Sequence, residues 1–410
     1  MYKEITKCRI SESPNLISVL NLGKQALTGV FPKGKDTPIT SGPLELVWCP
    51  KSELLQLKHS YYPEEMYGDN YGYRSGLNRS MVNHLKAKVE QLQRLYPLQS
   101  GDIVLDIGSN DATLLKHYSN EGLRRIGIDP TGVKFKEYYT GGIELIPDFF
   151  SATAFKKMVS DKKAKIITSI AMFYDLESPL SFIKQVAESL DDDGIWHLEQ
   201  SYMPSMLRMN SYDTVCHEHL EYYSLTPIKR MLDQCDLKLL DVQMNSINGG
   251  SFALTVAKSN NSLKENQPII EWFLSQEERM GLNTPKPFRD FEERVFKHRD
   301  DLMSLIQAIT TDGKKVFGYG ASTKGNVLLQ FCGLSEKEIP CIAEVNPDKF
   351  GCFTPGTYIP IVSEAEAKAM SPDYFLVLPW HFKENILARE QEFLSKGGKF
   401  IFPLPEIEIV

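Results

Sequence analysis

The sequence predicts an α/β protein with two open, mainly parallel sheets that follow a small strand-containing module. Between residues 102 and 258, short β-rich runs alternate with helical stretches, which is the pattern of parallel strands joined by crossover helices. A second unit of this kind begins at Lys314, turns at Gly318-Tyr319-Gly320 and continues through the apolar runs 341–345 and 374–378. With 410 residues, the chain also exceeds what one hydrophobic core usually organises.

The predicted domain organisation has four segments. In residues 1–75, glycines and prolines, which favour turns, lie between short apolar runs, and this pattern indicates a small irregular module. Residues 76–260 hold the first α/β unit, which is entered through a helix because Leu85, Val89 and Leu92 recur at helical spacing. Residues 261–310 are charged and helix-favouring, so they are predicted to be a helical connection to the second α/β unit, residues 311–410.

Charge and composition exclude several classes of partner. The formal net charge of -7 leaves no basic footprint for a nucleic-acid backbone. No apolar run approaches the roughly 20 residues that cross a bilayer, and the N-terminus lacks a signal-peptide core. We therefore expect a cytoplasmic protein with no nucleic-acid or membrane partner. The seven cysteines are odd in number and scattered, so they are predicted to be reduced thiols.

A strand, a tight turn and a helix start follow one another at residues 104–115, and ligands bind at such strand ends in open α/β sheets. The residues predicted to bind a cofactor in this turn are Asp106, Gly108, Ser109 and Asn110. Asp129 ends the second strand, where it is suited to accept hydrogen bonds from two ribose hydroxyls. At a third strand end, Asp148 is predicted to take an adenine amino group while Phe149 covers the base.

These three ordered signals match the class I methyltransferase pattern. Its cofactor has no phosphates and does not require the three-glycine phosphate turn of dinucleotide folds. The pattern therefore favours S-adenosylmethionine over NAD at this site.

Three further motifs lie in order along nearly the whole chain: Leu22-Gly23-Lys24-Gln25-Ala26-Leu27, the segment 212–224 with its core Cys216-His217-Glu218-His219, and Gly318-Tyr319-Gly320-Ala321-Ser322-Thr323-Lys324-Gly325-Asn326. Together they resemble the sugar C-methyltransferases, three-domain enzymes that add a methyl branch at carbon 3 of nucleotide-linked 4-keto-6-deoxyhexoses. The resemblance implies a class I methyltransferase Rossmann-like middle domain that holds S-adenosylmethionine and a second Rossmann-like domain that helps to hold the nucleotide sugar. It also implies a zinc-bearing N-terminal module.

The resemblance implies catalytic roles for the central motif. A ketone at carbon 4 acidifies the carbon 3 proton, so the enzyme needs a base for that proton and a donor for the enolate oxygen. His219 occupies the position of the family's base, Glu218 would orient or polarise it, and His217 is a further catalytic candidate in the same motif. Either Tyr71 or Tyr73 matches the tyrosine that the family brings into the active site.

The resemblance also implies a nucleotide-diphosphate sugar as the partner, with either GDP or dTDP as the nucleotide. The residues predicted to bind this substrate are Tyr222, Tyr319, Ser322, Lys324 and Asn326. We expect a monomer and leave an oligomer open.

The sequence departs from the family pattern at three places. The family's N-terminal zinc site uses two Cys-x-x-Cys pairs, but here Ser11 and Ser52 replace the second cysteine of each pair. Serine is a poor zinc ligand at neutral pH, so we expect no tightly bound zinc. Ala112 stands where the family commonly has glycine, a change we expect to be tolerated, and residues 171–175 lack a histidine found in some members.

Competing interpretations concern the cofactor, the acceptor atom and catalysis itself. A metal site at residues 216–219 is disfavoured because these neighbours are too close to supply four ligands. An NAD-linked oxidoreductase would use Gly318-Tyr319-Gly320 with Glu344, although Thr323 replaces the third glycine of that fingerprint. A sugar O- or N-methyltransferase would share the cofactor motifs, and a non-catalytic sugar-nucleotide binding protein would not need the intact base.

Overall fold

The N-terminal module consists of short antiparallel strands. The computed structural model describes residues 2–62, 66 and 73–410. Strand β1 (Tyr2–Glu4) pairs with the last strand of the module, and the three longer strands pair in sequence order. The remaining strands are β2 (Ile17–Ala26), β3 (Ser41–Cys49), β4 (Leu54–Leu57) and β5 (His59–Tyr61).

The middle unit is an open sheet covered by helices. Its strands are β6 (Ile103–Ile107), β7 (Arg124–Ile128), β8 (Ile143–Ile146), β9 (Ala164–Ile170), β10 (Leu190–Ser201), β11 (Glu221–Tyr222), β12 (Leu237–Asn245) and β13 (Ser251–Lys258). Its helices are α1 (Arg79–Leu95), α2 (Ala152–Val159), α3 (Pro179–Ser189), α4 (Met203–Arg208) and α5 (Leu225–Asp233). Among the described residues the sheet order is β12-β13-β10-β9-β6-β7-β8, in which β13 pairs antiparallel with both β12 and β10 and the other pairs are parallel.

The strand order fixes where a ligand can bind. All five residues of β6 are buried, as expected of a central parallel strand covered on both faces. The chain leaves β6 toward β7 and β8 and then crosses back to β9 on the other side. The reversal creates a crevice beyond the carboxyl end of β6, which is where the sequence placed the cofactor.

The two-residue strand β11 does not join the sheet of its own unit. It pairs antiparallel with β4, with Glu221 opposite Gln56 and Tyr222 opposite Leu55. The backbone N–H of Leu57 extends this ladder by donating to the Leu220 carbonyl at 2.8 Å. The segment that contains the histidine motif therefore completes the N-terminal sheet, in the order β11-β4-β3-β2.

The second α/β unit follows two long connecting helices, α6 (Gln267–Arg279) and α7 (Lys286–Thr311). Its strands are β14 (Val316–Tyr319), β15 (Ile342–Glu344), β16 (Ile361–Ser363), β17 (Tyr374–Val377), β18 (Lys399–Phe402) and β19 (Glu408–Ile409), and its helices are α8 (Thr323–Phe331), α9 (Glu364–Ala369), α10 (Lys383–Arg389) and α11 (Gln391–Ser395). In the described chain the order is β16-β15-β14-β17-β18-β19, parallel except for β19. The predicted fold class, with two Rossmann-like units and an N-terminal strand module, is confirmed.

The N-terminal module shares a hydrophobic core with the last unit. Trp48 of β3 contacts Phe288 of α7 with ring centroids 5.4 Å apart, and both belong to a cluster that continues into β14, β17 and β18. Side chains of α8 add polar contacts: the Gln330 amide accepts from Ala26 N at 2.7 Å and donates to its carbonyl at 3.3 Å. Asn326 donates to the Thr28 carbonyl at 2.8 Å.

We predict that Gln330→Leu destabilises the chain. The substitution keeps the side chain's approximate size but leaves both backbone groups of the buried Ala26 without this partner, at a cost of about 1–3 kcal/mol. Urea unfolding should show this loss. Gln391→Leu is the matched control, because Gln391 makes its helix bond on the exposed surface. Equal stabilities of the two variants would contradict the prediction.

Candidate active site

The turn after β6 is held in a conformation that suits close ligand approach. Gly108 has φ of +76°, and a Cβ there would lie 3.1 Å from Met172 Cγ. The next turn residues include Asn110 and Ala112, with φ of +49° and +59°. Ala112 therefore takes a backbone conformation that glycine adopts more easily, which explains a glycine preference at this position.

Asp129 organises this turn from the end of β7. Its Oδ2 accepts from Asn110 N at 2.8 Å, and its Oδ1 accepts from the N–H and hydroxyl of Thr131 at 2.6 and 2.5 Å. A carboxylate has about four lone-pair sites, so three of them are in use. The structure leaves Asp129 about one further hydrogen bond rather than the pair expected for two ribose hydroxyls.

The other predicted cofactor residues divide into interior and open positions. The buried Asp106 accepts from the Thr168 hydroxyl at 2.5 Å, and burial raises its pKa to about 7. Ser109 contacts the Tyr139 hydroxyl at 2.8 Å. Asp148 and Phe149, after β8, are exposed, with Phe149 51% exposed and its N–H donating to Asp148. An exposed ring next to a strand end is available to cover a planar base.

Residues 73–76 lie over the cofactor turn. Ser75 N donates to Asn110 Oδ1 at 2.9 Å, Gly76 N donates to Asp111 Oδ2 at 3.0 Å, and Asn110 Nδ2 donates to the Tyr73 carbonyl at 3.2 Å. These bonds hold Tyr73, which is 47% exposed, beside the predicted cofactor site. Tyr71 lies outside the described residues.

His219 lines a small cavity shared with Tyr174, Ser211, Thr214 and Tyr222. Its Nδ1 is 3.1 Å from the Thr214 carbonyl oxygen, which can only accept, so Nδ1 carries the proton and Nε2 carries the lone pair. The Tyr174 ring contacts the imidazole at 4.2 Å between centroids. Burial lowers the pKa of His219 to about 4, so the imidazole is neutral at physiological pH.

The two preceding residues of the motif face other surroundings. His217 is fully buried, points its Nε2 at the Gly42 carbonyl at 3.4 Å and packs edge-on against Tyr61. Burial lowers its pKa to about 4 as well. Burial raises the pKa of the Glu218 carboxyl, whose Oε1 would lie 3.1 Å from a Cβ at Gly29. His219 alone of these three lines the cavity in the described structure.

The last unit contributes Lys324 behind the motif. Burial lowers the pKa of Lys324, and the negative charge of Asp213 opposes this. Asp213 is itself buried and accepts from Trp380 Nε1 at 2.8 Å. Ser322 caps α8 by accepting from Gly325 N at 3.0 Å.

Two predicted substrate residues lie in the interior. The Tyr319 hydroxyl donates to Glu390 at 2.8 Å, and the fully buried Asn326 holds the Thr28 carbonyl. Sequence reasoning missed Tyr174, Asp213 and Trp380. Tyr174 lies in the segment 171–175, which lacks the histidine of some family members, and Asp213 lies in the segment 212–224 that contains the histidine motif.

The four residues at the family's zinc positions lie in two turns that have the same backbone hydrogen bond, and their side chains meet. Cys8 Sγ lies 3.2 Å from Ser52 Oγ, and Ser11 Oγ lies 3.4 Å from Cys49 Sγ. In each turn a glutamate N–H donates back to the cysteine carbonyl, Glu12 to Cys8 and Glu53 to Cys49. Two thiols hydrogen-bonded to two hydroxyls do not fit the four thiolate or imidazole ligands of a structural zinc.

Comparisons with known proteins agree with this architecture. Three family models match consecutive parts of the chain: a "putative zinc binding domain" at residues 8–67, a methyltransferase domain at 80–242 and a C-methyltransferase C-terminal domain at 246–405. The C-methyltransferase NovU of Streptomyces niveus is 30% identical over 411 residues, covering 100% of this chain and 97% of that protein. The chain belongs to the C-methyltransferase family.

Solved methyltransferases match part of the chain at low similarity. The plantazolicin methyltransferase BpumL in complex with SAH has 13% identity and a TM-score of 0.34, covering 42% of this chain and 82% of that one. An S-adenosylmethionine-dependent methyltransferase from Clostridium acetobutylicum has 12% identity and a TM-score of 0.34, covering 43% and 92%.

This C-methyltransferase uses S-adenosylmethionine, and its turn after β6 has the features to hold that cofactor. The left-handed Gly108, the remaining acceptor capacity of Asp129 and the exposed Phe149 ring lie at the three strand ends where the sequence predicts cofactor binding. Within the described part of the chain, no cluster of three or more His, Cys, Asp or Glu residues could hold a metal ion. Among the described residues, no helix combines the length and apolar character needed to cross a membrane.

We predict that Asp129→Ala weakens S-adenosylhomocysteine binding by at least about tenfold, since each charged hydrogen bond is worth about 1.5–3 kcal/mol. The loss has two sources, the ribose contact and the Asn110 N–H that shapes the turn. Titration calorimetry measures it. Asp161→Ala, at an exposed carboxylate, is the control and should bind normally. Unchanged affinity in folded Asp129→Ala would contradict the assignment.

Proposed function

We propose that this C-methyltransferase adds a methyl group at carbon 3 of a nucleotide-linked 4-keto-6-deoxyhexose, through an enolate. The observation that carries the proposal is the position of His219. Its neutral imidazole lines a cavity, and its Nδ1 is held by the Thr214 carbonyl. That arrangement leaves Nε2 as the atom that accepts a proton. Carbon alkylation needs a base that removes a C–H proton, and methylation of an oxygen or nitrogen that is already nucleophilic needs such a base less.

Residues of this chain accept the carbon 3 proton and stabilise the negative charge of the enolate oxygen. Nε2 of His219 takes the proton from carbon 3, the C–H electron pair becomes the enolate, and a phenol at residue 71 or 73 donates to the enolate oxygen. Bound S-adenosylmethionine supplies an electrophilic methyl group to the enolate carbon. Lys324 lies near His219 and Asp213, where burial lowers its pKa and the negative charge of Asp213 opposes this.

The nucleotide diphosphate is assigned to the start of α8, where Ser322 and Lys324 lie. The alternative of an NAD-linked oxidoreductase loses support because Thr323 replaces the third glycine of its fingerprint and because the full-length relative is a C-methyltransferase. Thermal-shift measurements with GDP and with dTDP, each with S-adenosylhomocysteine present, distinguish the two nucleotides.

We predict that His219→Asn abolishes proton removal while preserving fold and cofactor binding. Loss of a general base typically costs about 10²–10⁴-fold in rate. The measurement is deuterium uptake from heavy water into dTDP- or GDP-linked 4-keto-6-deoxyhexose in the presence of S-adenosylhomocysteine, which separates proton removal from methyl transfer.

The position of the deuterium tests the second part of the proposal, because a 4-ketone acidifies the protons at both carbon 3 and carbon 5. Uptake at carbon 3 is expected, and uptake only at carbon 5 would move the methylation site. His217→Asn should be milder, since His217 contacts the Gly42 carbonyl rather than the cavity. Undiminished exchange in His219→Asn would place the base elsewhere, with Tyr71, Tyr73 and His217 next in line.

We also propose that the N-terminal module holds no zinc, because hydroxyls replace two of its four ligands. Elemental analysis of chelator-washed protein should find no zinc in the unmodified chain. The double variant Ser11→Cys/Ser52→Cys should bind zinc or cobalt at about one equivalent, since the four side chains already converge. One equivalent of zinc in the unmodified protein would overturn the proposal.

A further inference from the structure

Arg9 is a buried cation in the first of the two serine-containing turns. Its side chain is 2% exposed. The guanidinium donates to the Leu57 carbonyl at 2.6 Å and to the Ser60 hydroxyl at 2.8 Å, which ties it to the end of β4 and to β5. Its backbone N–H donates to Gln56 Oε1 at 3.1 Å. Arg9 is therefore held from three sides within its own module.

The remaining face of the guanidinium points toward the middle unit. Arg9 Nε lies 3.6 Å from Glu177 Oε2 and 3.7 Å from Glu221 Oε1. The Glu221 side chain is fully buried, and neither of its oxygens has a hydrogen-bond partner. A buried carboxyl without hydrogen bonds depends on a nearby cation, and Arg9 is in that place.

The two carboxylates belong to the two segments that build the cavity. Glu177 follows Tyr174 on the loop after β9, and Glu221 follows His219 into β11. The same two segments are joined by the Leu220 N–H, which donates to the Tyr174 carbonyl at 2.8 Å, and by the contact of the Tyr174 and His219 rings. One guanidinium thus lies behind both segments at the place where they meet.

We propose that Arg9 is a positioning residue for the His219–Tyr174 pair, and that the N-terminal module acts on catalysis through this side chain. The inference rests on the proposed role of His219. The serine-containing turn fixes the Arg9 backbone, and the two terminal nitrogens of the guanidinium donate to the Leu57 carbonyl and the Ser60 hydroxyl. The Nε–H faces Glu177 and Glu221 and sets the distance between the two segments that carry them. Lysine would supply the charge without the fork, so it would not reproduce the arrangement.

Arg9→Met tests the proposal in the full-length protein with a dTDP- or GDP-linked 4-keto-6-deoxyhexose. Misplacing a catalytic group by about 1 Å costs up to about 10²-fold in rate, so kcat should fall about 10- to 100-fold. KM for the sugar and Kd for S-adenosylhomocysteine should stay within about twofold, because Arg9 touches neither site. Arg9→Lys should recover part of kcat. Lys7→Met is the matched control, an exposed cation two residues away, and should retain full activity.

Glu221→Gln provides a second route if Arg9→Met does not fold, because it keeps the size of the side chain and replaces the carboxyl group that faces Arg9 with an amide. A fall in kcat is again expected. Normal kcat in folded Arg9→Met or Glu221→Gln, with only a lower melting temperature, would overturn the inference and leave Arg9 a purely structural residue. The His219→Asn exchange measurement decides the base separately, so failure of one idea is distinguishable from failure of the other.

Discussion

The pairing of β11 with β4 is the constraint on which the site depends. The histidine motif ends in a strand too short to hold itself, and its backbone groups are satisfied by a strand from another module. His219 is therefore placed by a ladder that begins one residue later at Leu220. Any movement of the N-terminal sheet would be transmitted directly to the imidazole, whereas the cofactor turn is held separately by Asp129 and residues 73–76.

Access and tautomer, more than basicity, distinguish the two histidines of the motif. Burial lowers both pKa values to about 4, so neither is the stronger base in the free protein. His217 is enclosed against Gly42 and Tyr61, but His219 borders the cavity with its Nε2 lone pair unengaged by the Thr214 contact. Lys324 also disfavours the charged form of His219, which agrees with a neutral imidazole at physiological pH.

Hydrophobic periodicity and turn residues predicted those helices, strands and turns that are determined by residues close together in the sequence. The strand at 103–107, the following turn and the helix over residues 80–95 all appear close to where the sequence placed them. β11 was not predictable in this way, because two residues carry no periodicity. Asn326 and Tyr319 look polar and motif-bound in sequence, but their partners, Thr28 and Glu390, are distant along the chain, and only tertiary packing turns these side chains inward.

The serine-containing turns bear on why the N-terminal module shares its core with the last unit. A structural zinc contributes folding free energy that a small module without a large core cannot easily replace. Here the thiol–hydroxyl pairs of the turns are weak bonds, so the module must gain stability elsewhere. The contact of Trp48 with Phe288, the bonds from Gln330 and Asn326, and the continuous apolar cluster provide it. We expect a module without zinc to depend on this docking for its stability, and docking also carries β4 and Arg9 to the segment that contains His219.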